Sequence, residues 1–244
     1  MQIRQLITRI FDIDSKELRA VLASFCLVML LMTSYYMLRP VRDSMASDWS
    51  DIEVSWLWTF TFLFSAIAIS FYGYIASRAR LIYLIPGVYI FFALSFLLFY
   101  FSNNITEIKT FSDKAFYVWV SVYALFHVSV FWSLMAETFS KAQAKKLFGF
   151  IAAGASMGAI IGPFFTALFV SALGNHLLLL IASAIIILAV PLIPVIQSSS
   201  KMDFHHSQLE ALLSGKTSIG GTSLEGFRIL FNDLGNEFPT VLSP

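Results

Sequence analysis

The 244-residue chain is 58% hydrophobic and only 13% charged, with a mean hydropathy of +0.77 and a formal net charge of +1. A water-soluble domain carries about 25% charged residues, so this composition describes an integral membrane protein and excludes a nucleic-acid binder with a basic face. The single cysteine, Cys26, excludes an internal disulfide and a cysteine-rich zinc site, and no metal or cofactor is expected.

In chain order, residues 1–17 come first. Ile3, Leu6, Ile7, Ile10 and Phe11 recur at helical spacing, which predicts an amphipathic helix on the inner leaflet, the alternative being a frayed tail, and Asp14 with Glu17 has the spacing of a capping box before the first span. The first 19 residues carry four basic and three acidic residues and no apolar core, so no cleavable signal peptide is expected there.

Six windows without Asp, Glu, Lys or Arg then follow, each near the ~20 residues a spanning helix needs: 20–38, 54–77, 81–101, 115–136, 147–172 and 177–196. Backbone groups in lipid must bond within their own segment, so each window is a helix and residues 18–196 are a six-helix bundle. If the N-terminus is cytoplasmic, ten Lys and Arg fall on the inner side and four on the outer, which puts both termini in the cytoplasm.

The first window ends in SYYMLRPVRDSMA. From Leu18 to Met45 a helix is about 42 Å long, more than a hydrocarbon core of about 30 Å, so its charges sit at the outer mouth. Arg39, Arg42 and Asp43 are spaced i, i+3 and i+4, and Arg39 is placed to pair with Asp43. Two readings stand: arginines snorkelling to headgroups, or a basic mouth for an anionic solute, whose phosphate or carboxylate suits the guanidinium fork.

Between the second and third windows, Gly73, Arg78 and Arg80 mark a tight turn. In the fourth, His127 lies near mid-bilayer, either a neutral histidine bonded to a neighbouring Ser or Tyr, or a group that relays protons or touches solute. Glu137 and Lys141 are spaced for an inner-face ion pair. In the fifth, Gly154, Gly158 and Gly162 fall on one face and allow another helix to approach closely, with Pro163 placed to bend the helix beside the contact. Residues 197–244 read as a polar linker and tail: the His205–His206 pair lacks further metal ligands, GKTSIGG is not a phosphate loop, and Leu224, Phe227, Leu230, Phe231 and Leu234 share a face of a surface helix.

Gly73 with Arg78 and Arg80, and Gly158 with Gly162 and Pro163, resemble the turn and fifth-helix motifs of the major facilitator superfamily; Ser77 and its neighbours replace the aspartate usual in that turn. LRPVRD and FWSLMAETFSKAQAKKLFGF resemble the ATP/ADP translocase-related exchangers of bacteria and plastids, with Arg39, Arg42 and Asp43 matching one element and Phe131, Trp132, Lys145, Lys146 and Phe148 the other. The window 115–136 lacks the acidic residue those exchangers carry before the FW. The resemblance implies the N-terminal half of a transporter, a three-plus-three inverted repeat, and alternating access for a small anionic solute. It also implies a partner, either a second six-helix half or a second copy, in the same bilayer. The chain is therefore expected to be a truncated or split transporter and not an enzyme, the alternative being a non-transporting scaffold or an inactive fragment.

Overall fold

The computed structural model describes residues 18–102 and 109–198, without the side chains of Leu81, Lys141, Ala142, Leu173 and His176. The amphipathic segment with its Asp14–Glu17 cap, and the tail residues from 199 on, lie outside the described residues.

Six helices form from the six apolar windows, and no strand occurs among the described residues. They are α1 (Leu18–Ala46), α2 (Asp51–Ala76), α3 (Leu81–Ser102), α4 (Lys109–Thr138), α5 (Gln143–Ala172) and α6 (Leu177–Ser198). Several overrun their windows because polar residues extend a helix into the interface once lipid has fixed its middle. α1 runs through Arg39, Pro40 and Asp43 as expected, and α4 starts at Lys109. The face that holds the end of α1 and the start of α2 is called distal below, and the opposite face proximal.

Capping decides two of the boundaries. Ser50 Oγ accepts from the Glu53 N–H while the Glu53 carboxylate accepts from the Ser50 N–H, and Ser140 with Gln143 repeats the arrangement before α5. Each box satisfies N–H groups that the first turn of a helix leaves open. Between α5 and α6 a single residue breaks the helical backbone: Gly174, at φ 70° and ψ 169°, a region essentially reserved for glycine.

The helices pack in pairs. The buried core draws Leu27, Leu31 and Leu38 from α1 and Tyr123, Val130 and Phe131 from α4, with Tyr89 and Phe96 of α3 and Ala182 and Ile186 of α6. α3 lies antiparallel to α4, with Ser102 on Ser112, Phe99 on Phe116, Trp119 Nε1 donating to Ser95 Oγ, and Tyr89 donating to the His127 carbonyl. α6 joins α3 through a hydrogen bond from Ser183 Oγ to the Ala93 carbonyl. α5 packs on α1 and α2 on α4, so the second helix of each triplet lies against the first helix of the other. That exchange is the contact pattern of a three-plus-three inverted repeat.

Candidate functional site

The α1–α5 seam is built from the glycines. A Cβ added at Gly154 would lie 2.6 Å from the Phe25 carbonyl oxygen, one at Gly162 would lie 2.8 Å from that of Thr33, and one at Gly158 would collide with that of Met29. One turn further on, Thr166 Oγ1 donates to the Met37 carbonyl at 3.3 Å and to that of Gly162 at 3.1 Å. Every step of four residues along α5 is matched by a step of four along α1, so the two helices run parallel with their backbones in contact. Thr166 was not among the expected residues, although its spacing continues the glycine series. Backbone torsions remain helical at Pro163; the non-helical residue is Gly174. Gly73 differs: an added Cβ there meets nothing within 4 Å, so close helix approach does not explain it.

At the distal end Asp43 meets both arginines, the expected Arg39 and, more closely, Arg42. Arg42 Nε and Nη2 both donate to Asp43 Oδ1, at 2.9 and 2.7 Å, while Nη1 donates to Ser121 of α4 at 3.1 Å. Its guanidinium also lies over the Tyr117 ring, 5.3 Å from the centroid, and the side chain is only 16% exposed. Arg39 stays outside. It is 49% exposed, approaches Asp43 Oδ2 with Nε at 3.7 Å, and lies beside Tyr36. The closer partner of Asp43 is thus Arg42, because the packed aromatic floor of α4 holds that guanidinium in place while solvent competes for the other.

Tyr117 is the hub of a cluster that the sequence reading missed. Trp58 Nε1 donates to its hydroxyl at 2.8 Å, the Trp49 ring meets it edge-on, and Lys114 joins Glu53 at 2.7 Å beside Trp49. These contacts fasten the distal end of α2 to α4. The partners are about 60 positions apart, and no local pattern pairs them.

Deeper in the bundle, Ser34 Oγ donates to the Leu31 carbonyl and accepts from the Tyr123 hydroxyl at 2.8 Å. His127 is 2% exposed and lies between the rings of Tyr35 and Tyr123, with centroids at 4.9 and 5.0 Å. Its Nδ1 is 2.9 Å from the Tyr123 carbonyl oxygen, which can only accept, so Nδ1 carries a proton, and in the neutral ring Nε2 carries a lone pair. That nitrogen has no hydrogen-bond partner. The expected bond to a Ser or Tyr side chain is therefore replaced by one to a backbone carbonyl of the same helix. Toward the proximal end of α4, Ser129, Ser133 and Glu137 lie exposed on one face. The side chain of Lys141, the expected partner of Glu137, lies outside the described residues.

At the proximal α2–α3 turn, Ser77 ends α2 by donating its hydroxyl to the Tyr74 carbonyl. Arg78 lies over the Tyr74 ring at 3.8 Å, and both Arg78 and Arg80 are exposed. No group of three or more His, Cys, Asp or Glu side chains able to hold a metal occurs among the described residues.

Six apolar helices, a glycine seam and a polar lattice buried between α1 and α4 define an integral membrane protein built as a helical bundle. Residues 24–233 match the Major Facilitator Superfamily, and the chain belongs to that superfamily. No curated protein and no solved structure matches it. Membership makes it a secondary transporter by class and does not favour a scaffold role.

Proposed function

We propose that the chain forms one half of a secondary transporter for a small anionic solute, a nucleotide or another phosphate or carboxylate compound, with Arg39 as the group that meets the anion. The observation that carries this reading is the division of labour between the two arginines. Arg42 spends its donors on Asp43 and Ser121, so its role is to position the carboxylate. Arg39 is half exposed, with a 3.7 Å approach to the same carboxylate and a distant contact with the Tyr36 ring. Two guanidiniums against one carboxylate leave a positive charge, and an incoming phosphate or carboxylate competes with Asp43 for a planar donor fork.

In this reading the exposed Ser129, Ser133 and Glu137 face of α4 continues the path, and Glu137 pairs with Lys141 at its cytoplasmic end. His127 is sealed beneath Tyr35 and offers Nε2 to a donor once that ring turns away. A second six-helix half, or a second copy of this chain, closes the path across the bilayer. The membrane is a bacterial inner membrane with both termini cytoplasmic, and grouping with the nucleotide exchangers belongs to the same proposal.

Uptake into proteoliposomes of labelled nucleotides, sugar phosphates and dicarboxylates, against neutral sugars, tests it. Arg39→Ala abolishes anion uptake, Arg39→Lys retains part of it, and Arg42→Ala weakens it less than Arg39→Ala does. Anion flux indifferent to Arg39, or uptake confined to neutral solutes, sinks the proposal.

A further inference from the structure

We propose that the cleft between α2 and α3 binds an anionic phospholipid, with an acyl chain in the cleft and the phosphate on Arg78 and Arg80. The inference rests on the fold and not on the identity of the solute.

The cleft has a volume of about 500 Å³ and an almost wholly apolar lining, with Phe64 and Ile75 from α2, Leu84 and Phe91 from α3, and Phe126 of α4 among its walls. Along α3 the lining runs from Tyr83 to Phe92, about 13 Å at 1.5 Å per residue, close to half of a hydrocarbon core of about 30 Å. It is therefore one leaflet deep, on the proximal side. Phe71, Tyr83 and Phe91 are exposed, so the cleft opens sideways to the bilayer.

Charge distinguishes a phospholipid from any other apolar occupant. The turn that joins the two walls carries Arg78 and Arg80, both exposed and neither in an ion pair with a described residue. From Val54 to Ser102 neither helix has an acidic residue. The positive end of α3 begins directly after Arg80 and adds to the attraction for a phosphate. The depth of the cleft and the position of the arginines thus match an acyl chain and the phosphate above it.

Native mass spectrometry of the full chain in detergent, titrated with phosphatidylglycerol, with phosphatidylcholine of the same acyl chains, and with glycerol phosphate, tests the assignment. The wild type retains phosphatidylglycerol most strongly and glycerol phosphate hardly at all. The double variant Arg78→Gln/Arg80→Gln loses retention of phosphatidylglycerol roughly tenfold or more and keeps that of phosphatidylcholine. Gly87 lines the cleft, and a Cβ there meets nothing within 4 Å, so Gly87→Leu fills the cleft and lowers retention of both lipids. Circular dichroism verifies folding, and Ala68→Leu fills the cleft from the α2 side if Gly87→Leu does not fold. Equal retention of the two lipids by the wild type overturns the proposal, as does undiminished phosphatidylglycerol binding in the arginine variant or in a folded cleft-filling variant. Glycerol phosphate binding as tightly as the lipid has the same force.

Discussion

Replacing Gly158 by alanine puts a methyl group against the Met29 carbonyl oxygen, with the Met32 side chain and the Thr33 nitrogen close behind. Two of these obstacles are backbone, so α1 and α5 must separate, and overpacking of this kind costs roughly 1–3 kcal/mol. The same change at Gly149 of α5 meets nothing within 4 Å, and there the gain in helix propensity is about 0.5–1 kcal/mol. Unfolding titrations in mixed micelles are expected to move in opposite directions for the two variants; parallel shifts would refute the seam. Ser34 and Tyr123 offer a second test. Ser34→Ala strands a buried tyrosine hydroxyl at a cost of about 1–3 kcal/mol, and Tyr123→Phe in that background recovers part of the loss, so the double-mutant cycle closes with a coupling between the two sites.

At the scale of elements the two parallel pairs differ in kind. α5 meets α1 along a seam of glycine and threonine, backbone on backbone, whereas α2 meets α4 through Glu53–Lys114, Trp58–Tyr117 and Tyr72–Phe126 and buries only Leu57 and Ser65. α2 is thus held at its distal end by polar contacts and stands off from α3 by a cleft at its proximal end. The Glu53–Lys114 pair is partly exposed, so Lys114→Met is expected to change stability little. Its effect on position is larger. A spin label at Ser55 gains mobility in that variant while a label at Met157 of α5 does not, and an unchanged line shape at Ser55 would show that the clamp does not hold α2.

For the whole molecule the sidedness is testable. In a Cys26→Ser background, Ser47→Cys lies beyond the distal end of α1 and Ala79→Cys in the proximal α2–α3 turn. An impermeant thiol reagent is expected to label Ser47→Cys from outside the cell and Ala79→Cys only after the membrane is opened. The reverse pattern would overturn the distribution of basic residues as a guide to orientation. Gly174 bears on the whole fold too: its φ of 70° is open to glycine at no cost, and a side chain there strains the one-residue break from which α6 returns.

The sequence alone determined the membrane class, the six spans and the glycine face of α5, because these depend on local composition and on spacing within one helix. A run of about 20 apolar residues has few alternatives in lipid, and residues four apart share a face whatever surrounds them. Helical spacing pointed to Arg39 as the partner of Asp43, and that pair forms at 3.7 Å, but the closer contact of Arg42 could not be read that way: it depends on Tyr117 and Ser121, more than 70 positions away. The same holds for the Ser34–Tyr123 bond, the bare Nε2 of His127 and the cleft between α2 and α3. Only the tertiary structure decided these, since a partner brought close by packing leaves no mark on its own stretch of chain.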